Sequence, residues 1–192
     1  TSMIGRSVVQ SLKRREAIIQ PLFHQDVDLL NFQQTRDLFL DMKPDFCIHL
    51  AGYNGNIRFN SLYPADIFFN TSVIGLNVLR SCLEAKVEKT LSVLSSCGYN
   101  AGSEPLKEEL FLEGQPDEST EAHAYGKRDL FIYSKMLNKQ HDFNGICCIF
   151  NTVYGPNDSF DLNKTKVVGS LIKKFVDAVE TGEKSVECWR HR

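Results

Sequence analysis

Three pieces of one stretch decide how this chain folds: "DFCIHLAG" (45–52), "PADIFFNTSVIGLNVLRSCLEA" (64–85) and "KTLSVLSS" (89–96). The first and third are short apolar runs closed by small or polar residues, which predicts strands. The second is far too long for a strand and reads as a helix. Strand, helix and strand in that order imply two parallel strands joined by a helical crossover.

The alternation continues on both sides. "MIGRSVVQSLKRRE" (3–16) carries Ile4, Val8, Val9 and Leu12 on one helical face, "AIIQPLF" (17–23) predicts a strand, and "NFQQTRDLFLDM" (31–42) a helix. After the central unit, the Gly/Pro-rich "GYNAGSEPLKEELFLEGQPDEST" (98–120) predicts an irregular loop. "EAHAYGKRDLFIYSK" (121–135) opens a further helix, "GICCIF" (145–150) a strand, "NTVYGPND" (151–158) a loop, and "KVVGSLIKKFVDAVETG" (166–182) a last helix; a strand-like segment begins in "VECWRHR" (186–192). The expected fold is α/β, a doubly wound parallel sheet with residues 1–150 as a dinucleotide-binding domain and 151–192 as the start of a substrate-binding portion. Ligands in such sheets sit outside the carboxyl ends of the strands, so the loops after "CIHL", "SVLSS" and "CCIF" are where chemistry is expected.

Composition narrows the partners. The chain has 192 residues, 42% of them hydrophobic, enough for the core of one ordinary domain. Twenty-two basic residues against 24 acidic ones give a net charge of −2, and no basic stripe is present, so nucleic acid is not an expected partner. No apolar run approaches the ~20 residues of a membrane span and no signal pattern opens the chain, so the expectation is a soluble, cytoplasmic protein. Cys47, Cys82, Cys147, Cys148 and Cys188 read as buried thiols, and the five histidines form no ligand cluster, so no metal is expected. "KRR" (13–15) reads as a solvated helix end, and Phe68, Phe69 and Leu76 as helix core.

Several residues suggest specific chemistry. Gly5 stands before the first helix, where the last glycine of a dinucleotide-binding turn belongs. His123 and Lys127 are four apart, which puts them on one helix face, whereas Tyr125 is about 200° around the helix from Lys127. Ser95, taken alone, reads as a strand-end serine satisfying a turn.

With "HLAGYNGNI", "YPADIFFN", "LSSCGYN", the His123/Lys127 pair, "NTVYGPNDSF" and "VVGSLIKKF" in view, the chain resembles the extended short-chain dehydrogenase/reductase family. Within it the chain is most similar to the GDP-L-fucose synthase group, epimerase/reductases of GDP-4-keto-6-deoxymannose. The resemblance covers nearly the whole chain and implies that the family's first strand, with its leading glycines, and most of its C-terminal substrate domain are missing from this sequence. It also implies a catalytic set of Ser95, Lys127 and Cys97, with His123 on the position of the family's tyrosine and Lys166 on that of its proton-donating histidine. Gly5, Leu29, Ala51, Gly52, Lys127 and Val153 fall on cofactor contacts. NADP is the implied cofactor with NAD as the open alternative, and a nucleotide-sugar, preferentially a GDP-sugar, is the implied substrate. A homodimer is compatible with the pattern. Two alternatives stand beside this reading: a non-catalytic relative that binds without turnover, and another NAD-dependent nucleotide-sugar epimerase or dehydratase.

Overall fold

A computed structural model of the chain describes residues 2–158, 160 and 167–188. Within them lies a three-stranded, all-parallel sheet in the order β1 (Phe46–His49), β2 (Lys89–Ser95), β3 (Gly145–Phe150). The accompanying helices are α1 (Met3–Lys13), α2 (Phe32–Met42), α3 (Ile57–Leu62), α4 (Pro64–Glu84), α5 (Glu121–His141) and α6 (Val167–Thr181). Helices α4 and α5 are the crossovers that parallel neighbours require, and the architecture is the Rossmann-type α/β arrangement the alternation predicts.

Local chemistry sets the element boundaries. Ser2, Asn31 and Asn56 each place a side-chain oxygen over a free amide of the first turn, from Gly5, Gln34 and Phe59 respectively. Helix α4 opens with Pro64, whose missing N–H is no loss there. Lys43 and Asp142 close α2 and α5 in the left-handed conformation.

The core lies between β2 and a layer made by α2, α4 and α5, with Phe39, Leu79, Cys82, Leu94, Phe111, Leu130 and Leu137 at its centre. On β2 the alternation buries Thr90, Ser92 and Leu94 on one face. Helix α4 turns Ile67, Thr71, Gly75, Val78, Leu79 and Cys82 inward, one or two residues per turn. Two glycines set how closely α4 and α5 meet. A methyl group on Gly75 would lie 2.8 Å from Leu130 Cδ1, and one on Gly126 would lie 2.9 Å from Thr71 Cβ. Gly126 stands between His123 and Lys127, so the helix contact also fixes the height of that pair against the sheet.

Four expectations need correction. No strand forms at 17–23: the run is irregular and Ile18 is fully exposed. A parallel strand exists only as part of a ladder, and no described strand lies beside this run to bond with it. Phe68 and Phe69 are not core, being 43% and 61% exposed, because the helical turn that aims Ile67 and Thr71 inward carries the next two positions outward. The described start of "VECWRHR", residues 186–188, forms no strand, and the rest lies outside the described residues. Cys188 is exposed, and of the five expected buried thiols only Cys82 is fully buried. The short helix α3 is an addition that the loop after β1 did not announce.

Candidate active site

Three loops converge at the carboxyl ends of the strands: 51–56 after β1, 96–98 after β2 and 151–158 after β3. The start of α1 joins them. A methyl group on Gly5 would lie 4.0 Å from Leu50 Cδ1, one on Gly155 would lie 3.9 Å from Met3 Sδ, and Arg6 donates to Asn157 Oδ1 at 3.4 Å. The amide of Gly5 is occupied by the Ser2 cap at 3.1 Å.

Helix α5 carries the pair of interest. His123 and Lys127 are both buried, on the face that meets the sheet. β1 ends at the level of Ser92, which leaves room beside β2 for a side chain, and Lys127 Nζ fills it, donating to the Val93 carbonyl at 2.8 Å. The ammonium lies just beneath Gly52, 3.5 Å from where a Cβ would be. Gly52 is itself exposed. Burial holds the Lys127 ammonium down to a pKa of about 8, with a smaller opposing pull from Cys147. The buried imidazole of His49, at the end of β1, is pushed down to about 3, first by burial and then by the Lys127 charge. His49 is therefore neutral at physiological pH. Tyr125 is half-buried, with its ring 5.8 Å from the Arg128 guanidinium, as a packing residue should be.

Arg128 ties the long loop to α5. The residue is 7% exposed, and its guanidinium donates to the carbonyls of Gly98 at 2.8 Å, Gly114 at 2.9 Å and Glu113 at 2.8 Å. Gly98 follows the strand end that carries Ser95 and Cys97, so the same cation steadies the candidate catalytic turn. Ser95 Oγ accepts from the Cys97 amide at 3.4 Å, and both residues are half-buried. Beside them Ser96 Oγ donates to Asn151 Oδ1 at 3.1 Å, linking the ends of β2 and β3.

The remaining predicted positions are more scattered. Ala51 and Val153 are half-buried in the loops after β1 and β3. The carbonyl of Leu29 accepts from Asn77 Nδ2 of α4 at 2.8 Å, and its side chain packs on the core. Lys166 lies outside the described residues. Among those described, no group of His, Cys, Asp and Glu could hold a metal ion, and no helix is long and apolar enough to cross a membrane. A separate cavity of about 240 Å³ between the 154–158 loop and α6 is lined by Tyr154, Pro156, Asn157, Gly169 and Ile172 and includes none of the predicted site residues. His49, Ser96, Arg128 and Asn151 belong to the site and were not singled out in the sequence. The histidine at the end of a predicted strand was the one signal available for any of them.

The geometry of Lys127 has a measurable cost. Because its folded pKa lies below the ordinary ~10.4, the folded state holds fewer protons than the unfolded state between about pH 8 and 10.4. Stability therefore rises with pH through that window, and the full cost of the buried charge is present below pH 8. Lys127→Met, which removes the charge and keeps the length, is expected to stabilise the fold at pH 7 by about 1–3 kcal/mol after the lost Val93 hydrogen bond is subtracted. The gain should shrink as the pH rises from about 8 and be largely gone by about 10.4. Urea unfolding of both proteins at pH 7 and at pH 10 measures it, and a destabilised variant at pH 7 would contradict the assignment.

Known proteins resemble this chain over most of its length. The family model described as NAD dependent epimerase/dehydratase family matches residues 1–191. GDP-L-colitose synthase of Yersinia pseudotuberculosis is 28% identical over 189 residues, covering 97% of this chain and 61% of that protein. GDP-L-fucose synthase of Sinorhizobium fredii is 30% identical over 177 residues, covering 92% of this chain and 56% of its own length. The crystal structure of a GDP-L-fucose synthetase from Naegleria fowleri bound to NADP superposes with a TM-score of 0.87 at 26% identity, covering 99% of this chain and 63% of that one. The chain thus spans roughly three-fifths of the length of these relatives.

Proposed function

The chain belongs to the NAD dependent epimerase/dehydratase family, and on that premise we propose that it is the dinucleotide-binding part of a GDP-sugar epimerase/reductase that takes NADP, with imidazole in place of the family's phenol. The observation that carries the reading is the buried His123/Lys127 pair, held at the carboxyl end of the sheet with the Lys127 amine beneath Gly52. The ammonium has three N–H bonds, and Val93 is the one described acceptor, which leaves donors for ribose hydroxyls. The residues present fit a dinucleotide in this respect. When bound, the nicotinamide supplies hydride for reduction of a sugar ketone.

The chain's own residues take the following parts. Lys127 orients the ribose, and Ser95 donates a hydrogen bond to the ketone oxygen, favouring the charge that develops there. Cys97 moves protons at the carbon beside the ketone, and His123 delivers a proton to the reduced oxygen. The ring N–H of imidazole is a weak acid toward an alkoxide, so His123 is a poorer donor than a phenol whose pKa a lysine lowers. A second copy of the chain docking on α4 and α5 would cover Phe68, Phe69, Ile132 and Met136, which are between 42% and 61% exposed.

The decisive measurement is oxidation of NADPH in the presence of GDP-4-keto-6-deoxymannose. His123→Tyr is expected to raise the rate about tenfold or more, at the low end of what general acid catalysis supplies. Tyr125→Phe is expected to change it little, because that ring packs on Arg128. If Tyr125→Phe abolishes turnover and His123→Tyr has no effect, the helix presents the other residue and the assignment falls. A second reading, binding without turnover, is favoured by the absence of a phenol on the His123 face. It becomes the better account if the sugar nucleotide binds and neither protein oxidises NADPH.

A further inference from the structure

We infer that Asn151 is a sugar-positioning residue, its side-chain amide presenting oriented N–H donors to an oxygen of the hexose in a bound GDP-sugar; this rests on the function proposed above. Asn151 follows β3 directly, where Phe150 is paired with Ser95. Its Oδ1 accepts two hydrogen bonds, from Ser96 Oγ at 3.1 Å and from the Thr152 backbone amide at 2.8 Å.

The second bond decides the orientation. A backbone N–H can only donate, so the atom facing it must be the amide oxygen and not the nitrogen. With both lone pairs of that oxygen engaged, the amide plane is fixed and the NH₂ group is turned away from Ser96 and Thr152. Asn151 is exposed, and no described residue accepts from Nδ2. Two N–H bonds therefore stand oriented and open at the strand ends, beside the turn that holds Ser95 and Cys97.

The chemistry that suits such a group is a neutral acceptor. A ketone or hydroxyl oxygen of a sugar accepts from an amide in a directed way, whereas a phosphate would be better served by Arg or Lys. Fixing the donor in advance removes part of the ordering cost of binding. Ser96 acts through Asn151: its hydroxyl is a positioning group that holds the amide, without a role on the sugar itself. The arrangement joins residues 55 apart in the chain, which is why no local motif announces it.

The test separates the sugar from the nucleotide. Binding of GDP-4-keto-6-deoxymannose and of GDP alone is measured by titration calorimetry on the chain as it stands, on Asn151→Ala and on Ser96→Ala. One neutral hydrogen bond is worth about 3–10-fold in affinity, so Asn151→Ala is expected to weaken the GDP-sugar by that factor and leave GDP unchanged. Ser96→Ala should shift the same ratio in the same direction by about 2–3-fold. A merely structural role would weaken both ligands together, and that result overturns the inference, as does an unchanged ratio in Asn151→Ala. If the unaltered chain binds the GDP-sugar no better than GDP, the function proposed above fails and this inference fails with it.

Discussion

Arg128→Met is expected to lower the unfolding free energy by about 2–5 kcal/mol, a large share of the stability of an ordinary domain. The guanidinium is buried and its described hydrogen-bond acceptors are three carbonyls, those of Gly98, Glu113 and Gly114. Methionine fills a similar volume, so the loss is not a cavity effect. It is the cost of the buried Gly98 carbonyl stripped of a charged donor, about 1–3 kcal/mol, with a smaller loss at the Glu113 and Gly114 carbonyls, whose bonds are only partly buried. Arg128→Lys should recover only part, since an ammonium cannot span three acceptors with the fork of a guanidinium. Chemical denaturation followed by far-UV circular dichroism reads the effect. Cooperative unfolding of Arg128→Met within 1 kcal/mol of the parent would contradict the assignment.

The second large effect is with acid. The His49 imidazole titrates near 6.5 in the unfolded chain and at about 3 in the folded one, so between those values the unfolded state binds a proton that the folded state refuses. Stability therefore falls as the pH drops through that window and is unaffected by this group above it. At about 1.4 kcal/mol per pH unit, the loss should reach about 2 kcal/mol by pH 5 and about 4 kcal/mol by pH 3.5. Carboxylates that pair in the folded state, such as Glu84 with Arg80 and Arg36, also weaken at low pH. The comparison with His49→Gln isolates the histidine, because the amide does not titrate. The variant should show a flatter profile between pH 6.5 and 5, and identical slopes would sink the argument.

The sequence pattern made five of the six described α-helices and the three strands of the sheet legible, because periods of 3.6 and 2 are written locally. The 17–23 run shows the limit of that signal. Its apolar content is that of a strand, yet a strand is a relation between two segments, and no described strand is in place beside it. Phe68 and Phe69 fail for a related reason: hydrophobicity alone does not say which side of α4 meets a partner. At the site, spacing alone put His123 and Lys127 on one face and Tyr125 on another, and the structure agrees. What joins distant residues was not legible. Arg128 reaches a carbonyl 30 positions away and Ser96 a side chain 55 positions away, and no pattern of adjacent residues encodes either. The corresponding expectation at Lys166 falls outside the described residues.

The buried charge beneath Gly52 bears on how such a chain can change over generations. Folding gains nothing from a charge at position 127, so most uncharged replacements of fitting size relieve the fold, and mutation alone would remove the lysine unless a ligand repaid its retention. The surrounding glycines and serines give no such reading, since their loss harms packing whether or not anything binds. Among descendants of this chain, the residue at 127 is thus the position where loss of binding would be recorded first, and a lineage that had stopped binding would be recognised by an apolar side chain there on an otherwise intact helix.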